Sequence, residues 1–480
     1  MNGNAPLLAP ALSDREVTSF VIDSREVKAG DVFFALSQPE YKANGFNGDF
    51  DDSTKYAAAA LAAGAVAAVV RPDRYKEHEA ELAQFEDRLI FVEDAIAAFQ
   101  LLAHGVYLEW NKPVVAITGS AGKTTAKELT AHVLESSHRK VLRNIKNYNN
   151  GLGHPLTVLN LAKDANYDVA VLEMGMSTPL NEIARLCRIT PPDVAVELNV
   201  LPVHVEHLGS IEGVAAAKAE LVEGMRDGGV AVLNADDERV AAMALRSKGS
   251  VITYGIANAA DVSAADIEFG GFGTTKFLLK TPQGEAKVSF PLNGKHNILN
   301  GLAAAAVGHS FGMSAGEIAA ALGSVSAPPQ RGEVLRFAAE FTVINDSYNS
   351  NPDALLSMVN TLVECSSDSE RKIVVAGEML ELGDDAAQIH RQTGDSIAKS
   401  GADILIGVRG FGRDLASGAA DGGLADSRFA DDSEMAGDML AAEVKAGDVV
   451  LVKGSRGVRT EKVIEKLLEK YELEGKAATQ

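Results

Sequence analysis

The stretch VVAITGSAGKTTAKELT, residues 114–130, decides the fold. PVVAIT, residues 113–118, predicts a buried strand, Gly119-Ser120-Ala121-Gly122 a tight loop, and Lys123-Thr124-Thr125 the opening of a helix. At such a junction, backbone N–H groups and the helix dipole favour an anion, and glycine lets the backbone approach it closely. Lys123 is placed to reach the β- and γ-phosphates of a nucleotide, and Thr124 to offer a hydroxyl to Mg²⁺. The plain alternative is a tight turn with an exposed lysine. The general phosphate-binding pattern, G-x-x-x-x-G-K-[ST], needs a glycine where Ile117 stands, so this loop is a shorter one that begins at Gly119.

The strand-then-helix rhythm continues outward. YDVAVLEMG, DVAVELN and GGVAVLNADD are apolar strand candidates separated by helical sequence, which predicts a mostly parallel sheet covered on both faces. Ahead of it, SFVID, DVFFAL, GAVAAVV and RLIFVE form a first set of short strands, ending near YLEWNKP. Behind it, KHNILNGLAAAAVGHSFG reads as a helix and SAPPQRGEV as a linker. FTVINDSYN, KIVVAGEM, ADILIGV and DVVLVKGS then start a third set, and RTEKVIEKLLEKYELEGK closes the chain as an amphipathic surface helix. The expectation is an α/β protein of three domains: a smaller N-terminal α/β domain at 1–110, a central doubly wound P-loop domain at 111–325, and a Rossmann-like C-terminal domain at 326–480.

Composition narrows the function. With 45 Lys+Arg against 66 Asp+Glu, the formal charge is −21, which argues against a general nucleic-acid binder but not against a nucleotide held by a few placed donors. Two cysteines, Cys187 and Cys365, far apart, give no disulfide framework and suit a reducing compartment. No basic-then-apolar leader is read at the start. The most apolar window, YAAAALAAGAVAAVV, is too short to span a bilayer. A soluble cytoplasmic protein without membrane insertion is expected.

Other candidates gather after strands, where ligands sit in doubly wound sheets. Glu173 ends the YDVAVLEMG strand and is placed to hold a metal or a reacting group; an edge carboxylate facing water is the alternative. His204, Glu206 and His207 share the loop after DVAVELN, where a metal or general-base role and a structural one stay equally open. Lys218, among alanines in EGVAAAKAEL, reads by itself as a solvated lysine. Asn297 and Asn300 lie on one helical face, suited to an adenine edge or to a helix cap. Asp346, Tyr348, Asn349 and Asn351 crowd a strand-to-helix turn, and Lys453, Ser455 and Arg456 another.

Taken in order, ITGSAGKTT, EMG, the His204 loop, AKAE, GKHNILN, RGE, NDSYNSNPDA and VKGSR resemble the Mur ligase family over nearly the whole chain. The short family loop, T-G-[ST]-x-G-K-[ST], fits Thr118–Thr124, and DSYNSNP and GEMLELG resemble the branch that adds D-Ala-D-Ala. After FFAL the chain departs from the family, carrying SQPEYKANGFNGDF where a G-x-x-x-D-G-H type stretch is usual. The resemblance implies an ATP- and Mg²⁺-dependent ligase that joins D-Ala-D-Ala to UDP-N-acetylmuramoyl-tripeptide through an acyl phosphate, working as a monomer. It implies metal roles for Thr124, Glu173, His204 and a CO₂-carbamylated Lys218, catalytic roles for Lys123, Glu173, His204 and Lys218, and adenine contact by Asn297 and Asn300. It also implies that Arg331 and Asp346 bring the third domain onto ATP. Ser24 and Arg25 would meet the UDP end, and Asn149 and Asn150 the muramoyl peptide. Competing expectations are a related ligase with another amine acceptor, a P-loop kinase or nucleotide switch, and a catalytically silent binding protein.

Overall fold

A computed structural model describes residues 15–46, 51–145, 147–176, 181–202, 208–367 and 370–475. Three sheets follow one another along the chain. In the first, β1 (Ser19–Val21), β2 (Asp31–Phe34), β3 (Ala67–Val70) and β4 (Leu89–Phe91) lie side by side in sequence order, all parallel. The Ala-rich window divides as its Gly64 predicts: a helix at Ala57–Ala62, Gly64 at φ 106, then β3. The departing stretch forms a short helix, Gln38–Ala43, capped by Ser37 and Glu40.

The helix Ala95–Trp110 ends at Asn111, whose φ of 46 stops it. It seals the first sheet to the second. Phe34, Val69, Phe99, Tyr107, Ala116 and Leu172 belong to one continuous buried cluster. Its polar groups point the same way: Gln100 Nε2 donates to Gly151 O at 2.8 Å, Tyr107 OH to Pro191 O at 3.2 Å and Trp110 Nε1 to Tyr167 O at 3.0 Å.

The second sheet contains β5 (Val114–Thr118), β6 (Val141–Arg143), β7 (Val169–Glu173), β8 (Val194–Glu197), β9 (Val230–Asn234), β10 (Ser250–Gly255), β11 (Val262–Phe269), β12 (Thr275–Thr281) and β13 (Gly284–Phe290). Their order is β13-β12-β11-β10-β9-β8-β5-β7-β6, parallel from β6 to β11 and antiparallel beyond. The order reverses around β5, so the ligand crevice of such a sheet opens at the end of that strand. The antiparallel extension was not anticipated. Its turn carries Phe272, 7% exposed, into a buried cluster of the third sheet, and Arg336 Nη2 there donates to Phe272 O at 2.7 Å.

The third sheet runs β14-β15-β19-β16-β17-β18, with β14 (Glu333–Arg336) antiparallel and β15 (Thr342–Asp346), β16 (Arg371–Gly377), β17 (Ile404–Val408), β18 (Asp426–Ala430) and β19 (Asp448–Lys453) parallel. The chain is thus α/β, with a mostly parallel central sheet between two others. Among the described residues no helix is long and apolar enough to cross a membrane.

Candidate active site

The phosphate loop forms where β5 meets the helix Lys123–Ser136. Gly122 takes φ 83 as the residue before that helix, and a Cβ on it would meet Asn300 Oδ1 at 2.6 Å. A side chain there has neither a comfortable backbone nor space. Asn199, just after β8, clamps the loop from beside: Ala121 N donates to Asn199 Oδ1 at 2.8 Å, and Asn199 Nδ2 to Ala121 O at 3.1 Å. Lys123 folds back, its Nζ donating to Gly119 O at 2.8 Å. Burial lowers its pKa and Arg331 adds to that, while Glu173 opposes. A lysine so placed gains most when an anion joins it.

Glu173 pairs in register with Ile117 and ends β7 facing the loop. Thr124 Oγ1 donates to Glu173 Oε2 at 2.8 Å, and Asn149 Nδ2 to Glu173 Oε1 at 2.7 Å. Its backbone is fixed by buried Asn144, which accepts from Glu173 N at 3.0 Å and donates to Glu173 O at 2.9 Å. One acid therefore ties the phosphate loop to the Asn149 loop.

From the third sheet, Arg331 Nη2 donates to Thr124 Oγ1 at 3.2 Å, and its guanidinium lies 4.1 Å from the Tyr348 ring centre. Lys453 Nζ holds Asp346 at 2.5 Å and donates to Asn349 O at 2.9 Å. Asn351 caps the helix Pro352–Cys365 by accepting from Ala354 N at 2.8 Å. On the helix Lys295–Ser310, Asn297 donates to Asn293 O at 2.8 Å, and His296 is pushed down to about 4 by burial.

These elements enclose one cleft of about 710 Å³. It is lined by Ser120, Ala121, Gly122, Lys123, Thr124 and Thr125, by Asn149, Asn150 and Glu173, by Asn297 and Asn300, and by Arg331, Asp346, Tyr348, Asn349 and Asn351. Gly119 lies at the foot of the loop. Ser24 and Arg25 stand apart from this lining, in a turn after β1 where Arg25 pairs with Asp23 at 2.6 Å. His204, Glu206 and His207 lie outside the described residues.

Lys218 is buried on the helix Ile211–Glu223, not solvated as its surroundings in sequence suggest. Burial and the charge of Lys123 lower its pKa to about 7, against the pull of Glu197. Glu197 was not anticipated. It ends β8 with no exposure, and neither carboxylate oxygen has a hydrogen-bond partner among the described residues. Burial holds its pKa well above the usual carboxylate range. Asn144 and Asn199 were also missed; each is a single asparagine one or two positions past a strand end, and only pairing across the sheet gives it a task.

The donor set suits Mg²⁺. Among the described residues no group of three or more His, Cys, Asp and Glu side chains is arranged for a metal. Mg²⁺ needs only one or two protein oxygens when phosphates and water complete its shell. Thr124 Oγ1 and Glu173 Oε2, side by side at the phosphate loop, supply that number.

Comparison with known proteins agrees with this geometry. Residues 117–308 match the Mur ligase middle domain, and residues 330–456 match the Mur ligase, glutamate ligase domain. The UDP-N-acetylmuramoyl-tripeptide–D-alanyl-D-alanine ligase of Escherichia coli (strain K12) is 33% identical over 463 residues, covering 95% of each chain. A crystal structure of MurF from Acinetobacter baumannii superposes with a TM-score of 0.82 at 28% identity, over 95% of this chain and 94% of that one. MurF from Thermotoga maritima, solved in complex with ADP, gives 0.80 at 28% identity, over 95% and 98%. The chain belongs to the Mur ligase family.

Proposed function

We propose that this chain is an ATP-dependent, ADP-forming ligase that joins D-alanyl-D-alanine to UDP-N-acetylmuramoyl-tripeptide, giving the pentapeptide precursor of peptidoglycan. The observation that carries the reading is the cleft. It holds a phosphate loop, an acid bonded to that loop, and residues from the third sheet facing both. The first domain, about 1–110, would hold the UDP end through Ser24 and Arg25. The central domain, 111–325, holds ATP, and the third, 326–480, closes on it and brings the dipeptide. On this reading the chain works as a monomer in the cytoplasm.

A carboxylate does not acylate an amine at neutral pH, because its carbonyl carbon is shielded by negative charge. Transfer of the γ-phosphoryl group of ATP to the tripeptide carboxylate gives an acyl phosphate and ADP. The neutral amine of the dipeptide then forms the C–N bond, and phosphate leaves with the C–O electron pair. Lys123 and the loop N–H groups would neutralise charge on the transferring group. Thr124 and Glu173 would hold Mg²⁺, which when bound screens the phosphate oxygens. Asn149, fixed by Glu173, would present the acyl carboxylate to that same point. Asn297 and Asn300 would face adenine, and Arg331 and Asp346 would reach the nucleotide from the third domain. Tyr348, Asn349 and Asn351 would border the acceptor, and Asn150 the peptide. Lys218, once carbamylated, would add an anion able to serve a second metal, with His204. Because acyl phosphates hydrolyse, closure of the third domain serves to exclude water.

The test is direct. The purified chain is given ATP, Mg²⁺, the UDP-muramoyl-tripeptide and D-alanyl-D-alanine, and ADP and product mass are followed. ADP release that needs both acceptor and donor, with a new amide of the summed mass less water, is expected. No ADP and no amide would sink the reading.

A further inference from the structure

The phosphate-loop helix carries a buried cation that the phosphoryl step does not use. Lys127 stands one turn beyond Lys123, and its side chain is 2% exposed. Its Nζ donates to Asn144 O at 2.7 Å and pairs with Glu128 Oε1 at 2.8 Å. Burying an ammonium is costly, and apolar side chains would join a helix to a strand at less expense. Partly exposed pairs already make that join. Arg143, the last residue of β6, donates from Nη1 to Glu128 Oε2 at 3.0 Å and from Nη2 to Glu135 Oε1 at 2.9 Å.

The receiver of the Lys127 bond explains the expense. Asn144 is 2% exposed and bonds both sides of one residue, Oδ1 accepting from Glu173 N at 3.0 Å and Nδ2 donating to Glu173 O at 2.9 Å. Nδ2 also donates to Tyr148 O at 2.9 Å, which fixes the loop leading to Asn149 and Asn150. That loop folds back onto the same acid. Gly175 N donates to Asn149 O at 2.8 Å, beside the bond from Asn149 Nδ2 to Glu173 Oε1. Thr124 Oγ1 closes the circuit by donating to Glu173 Oε2. Lys127, Asn144, Glu173 and Thr124 thus form a ring that leaves the helix and returns to it one turn earlier, on one face. A buried network with its members satisfied holds a single arrangement.

We propose that Lys127 and Asn144 are positioning residues that make the Mg²⁺–nucleotide and the acyl substrate bind cooperatively; this rests on the ligase reading above, in which Glu173 holds the ion and Asn149 and Asn150 meet the tripeptide. Neither Lys127 nor Asn144 lines the cleft. Fixing Glu173 at the ion fixes Asn144, and through it Tyr148 and Asn149, before the tripeptide arrives. The coupling is reciprocal, so a tripeptide held by Asn149 tightens the ion site by the same factor.

Calorimetric titration gives Kd for UDP-N-acetylmuramoyl-tripeptide with and without saturating Mg²⁺ and the non-hydrolysable β,γ-imido analogue of ATP. The ratio of the two values is the readout, because a loss of stability that weakens both alike cancels from it. The unaltered chain should show a ratio of at least about 10. Asn144→Ala should bring it to about 2, and Lys127→Met, which keeps the apolar stem, to about 3. Arg143→Gln cuts the outer pairs, leaves the ring intact and should keep the full ratio. Equal affinities in the unaltered chain overturn the proposal. A full ratio in Asn144→Ala or in Lys127→Met overturns it too, and Lys127→Met decides alone if Asn144→Ala does not fold. A ratio that collapses equally in Arg143→Gln shows that any loosening of β6 suffices, and removes the special part given to the ring. ADP release by the unaltered chain with tripeptide and D-alanyl-D-alanine is followed alongside. Its absence refutes the ligase reading, whereas its presence with equal affinities refutes only the cooperative ring.

Discussion

Gly122→Ala puts the phosphate loop to a quantitative test. Alanine at φ 83 costs roughly 1–2 kcal/mol against glycine. Its Cβ would also stand 2.6 Å from Asn300 Oδ1, where ordinary contact begins at 3.4 Å, so the amide must retreat by about 0.8 Å (3.4 − 2.6). Gly228→Ala separates the two effects, because Gly228 has φ 78 and nothing within 4 Å of an added Cβ. Gly228→Ala should lose about 1–2 kcal/mol in denaturant titration, and Gly122→Ala at least as much, since buried Asn300 must move as well. Only Gly122→Ala should fall in kcat/KM for ATP, by about 100-fold, the scale of an ångström's misplacement at a reacting centre. ADP release under saturating acceptor and tripeptide measures it. If Gly122→Ala turned over ATP as well as Gly228→Ala does, close approach at Gly122 would have no part in nucleotide binding.

Glu173→Gln keeps the shape beside Thr124 and Asn149 but removes the charge; kcat should fall about 100-fold or more, with the Mg²⁺ optimum moved upward and the melting curve little changed. Glu40 offers a pH signature: burial, opposed by bonds from Ser37 N and Ala95 N, raises its pKa from 4.5 to about 7. A carboxyl whose folded pKa is raised stabilises fully below pH 4.5 and loses that contribution as pH climbs through 7. Folding free energy should therefore drop by up to about 3 kcal/mol across that window, and the slope should flatten in Glu40→Gln. Trp110→Phe deletes the bond to Tyr167 O and should cost about 1 kcal/mol in urea titration followed by circular dichroism, while the unaltered chain's only tryptophan reports the same transition by emission.

Legibility followed the range of the interactions. The strand, short loop and helix around Lys123 are set by neighbours in sequence, and so were readable, as were β1 to β5, β7 to β9 and four strands of the third sheet. The β11–β13 extension is harder to read: β12 and β13 alternate buried and exposed residues, but polar and charged side chains on their open face dilute the apolar signal that marks the parallel strands. Lys218 misled for a different reason. Alanines around it suggest an exposed face, whereas packing of its helix beside β8 buries it. Glu197 could not be singled out, since a glutamate ending a strand normally faces water; only the crowding of β5, β9 and Lys218 around it removes that option. Asn144 and Asn199 act across 29 and 78 residues of chain, a reach that no local pattern encodes.

Phe272 has a mechanical consequence. The third sheet is joined to the second by the covalent linker at 326–332, and this ring, seated in the third sheet's cluster, adds a non-covalent attachment. It does not act alone: Ser357 Oγ lies 3.1 Å from His296 Nδ1, and Asn293 Nδ2 donates to Cys365 Sγ at 3.3 Å. These ties lie together along the face that the helix Pro352–Cys365 turns to the second sheet. Any large swing of Arg331 and Asp346 away from the phosphate loop must therefore break both bonds and unseat Phe272 together, so the seam yields as a unit, as a zip does, and not one contact at a time.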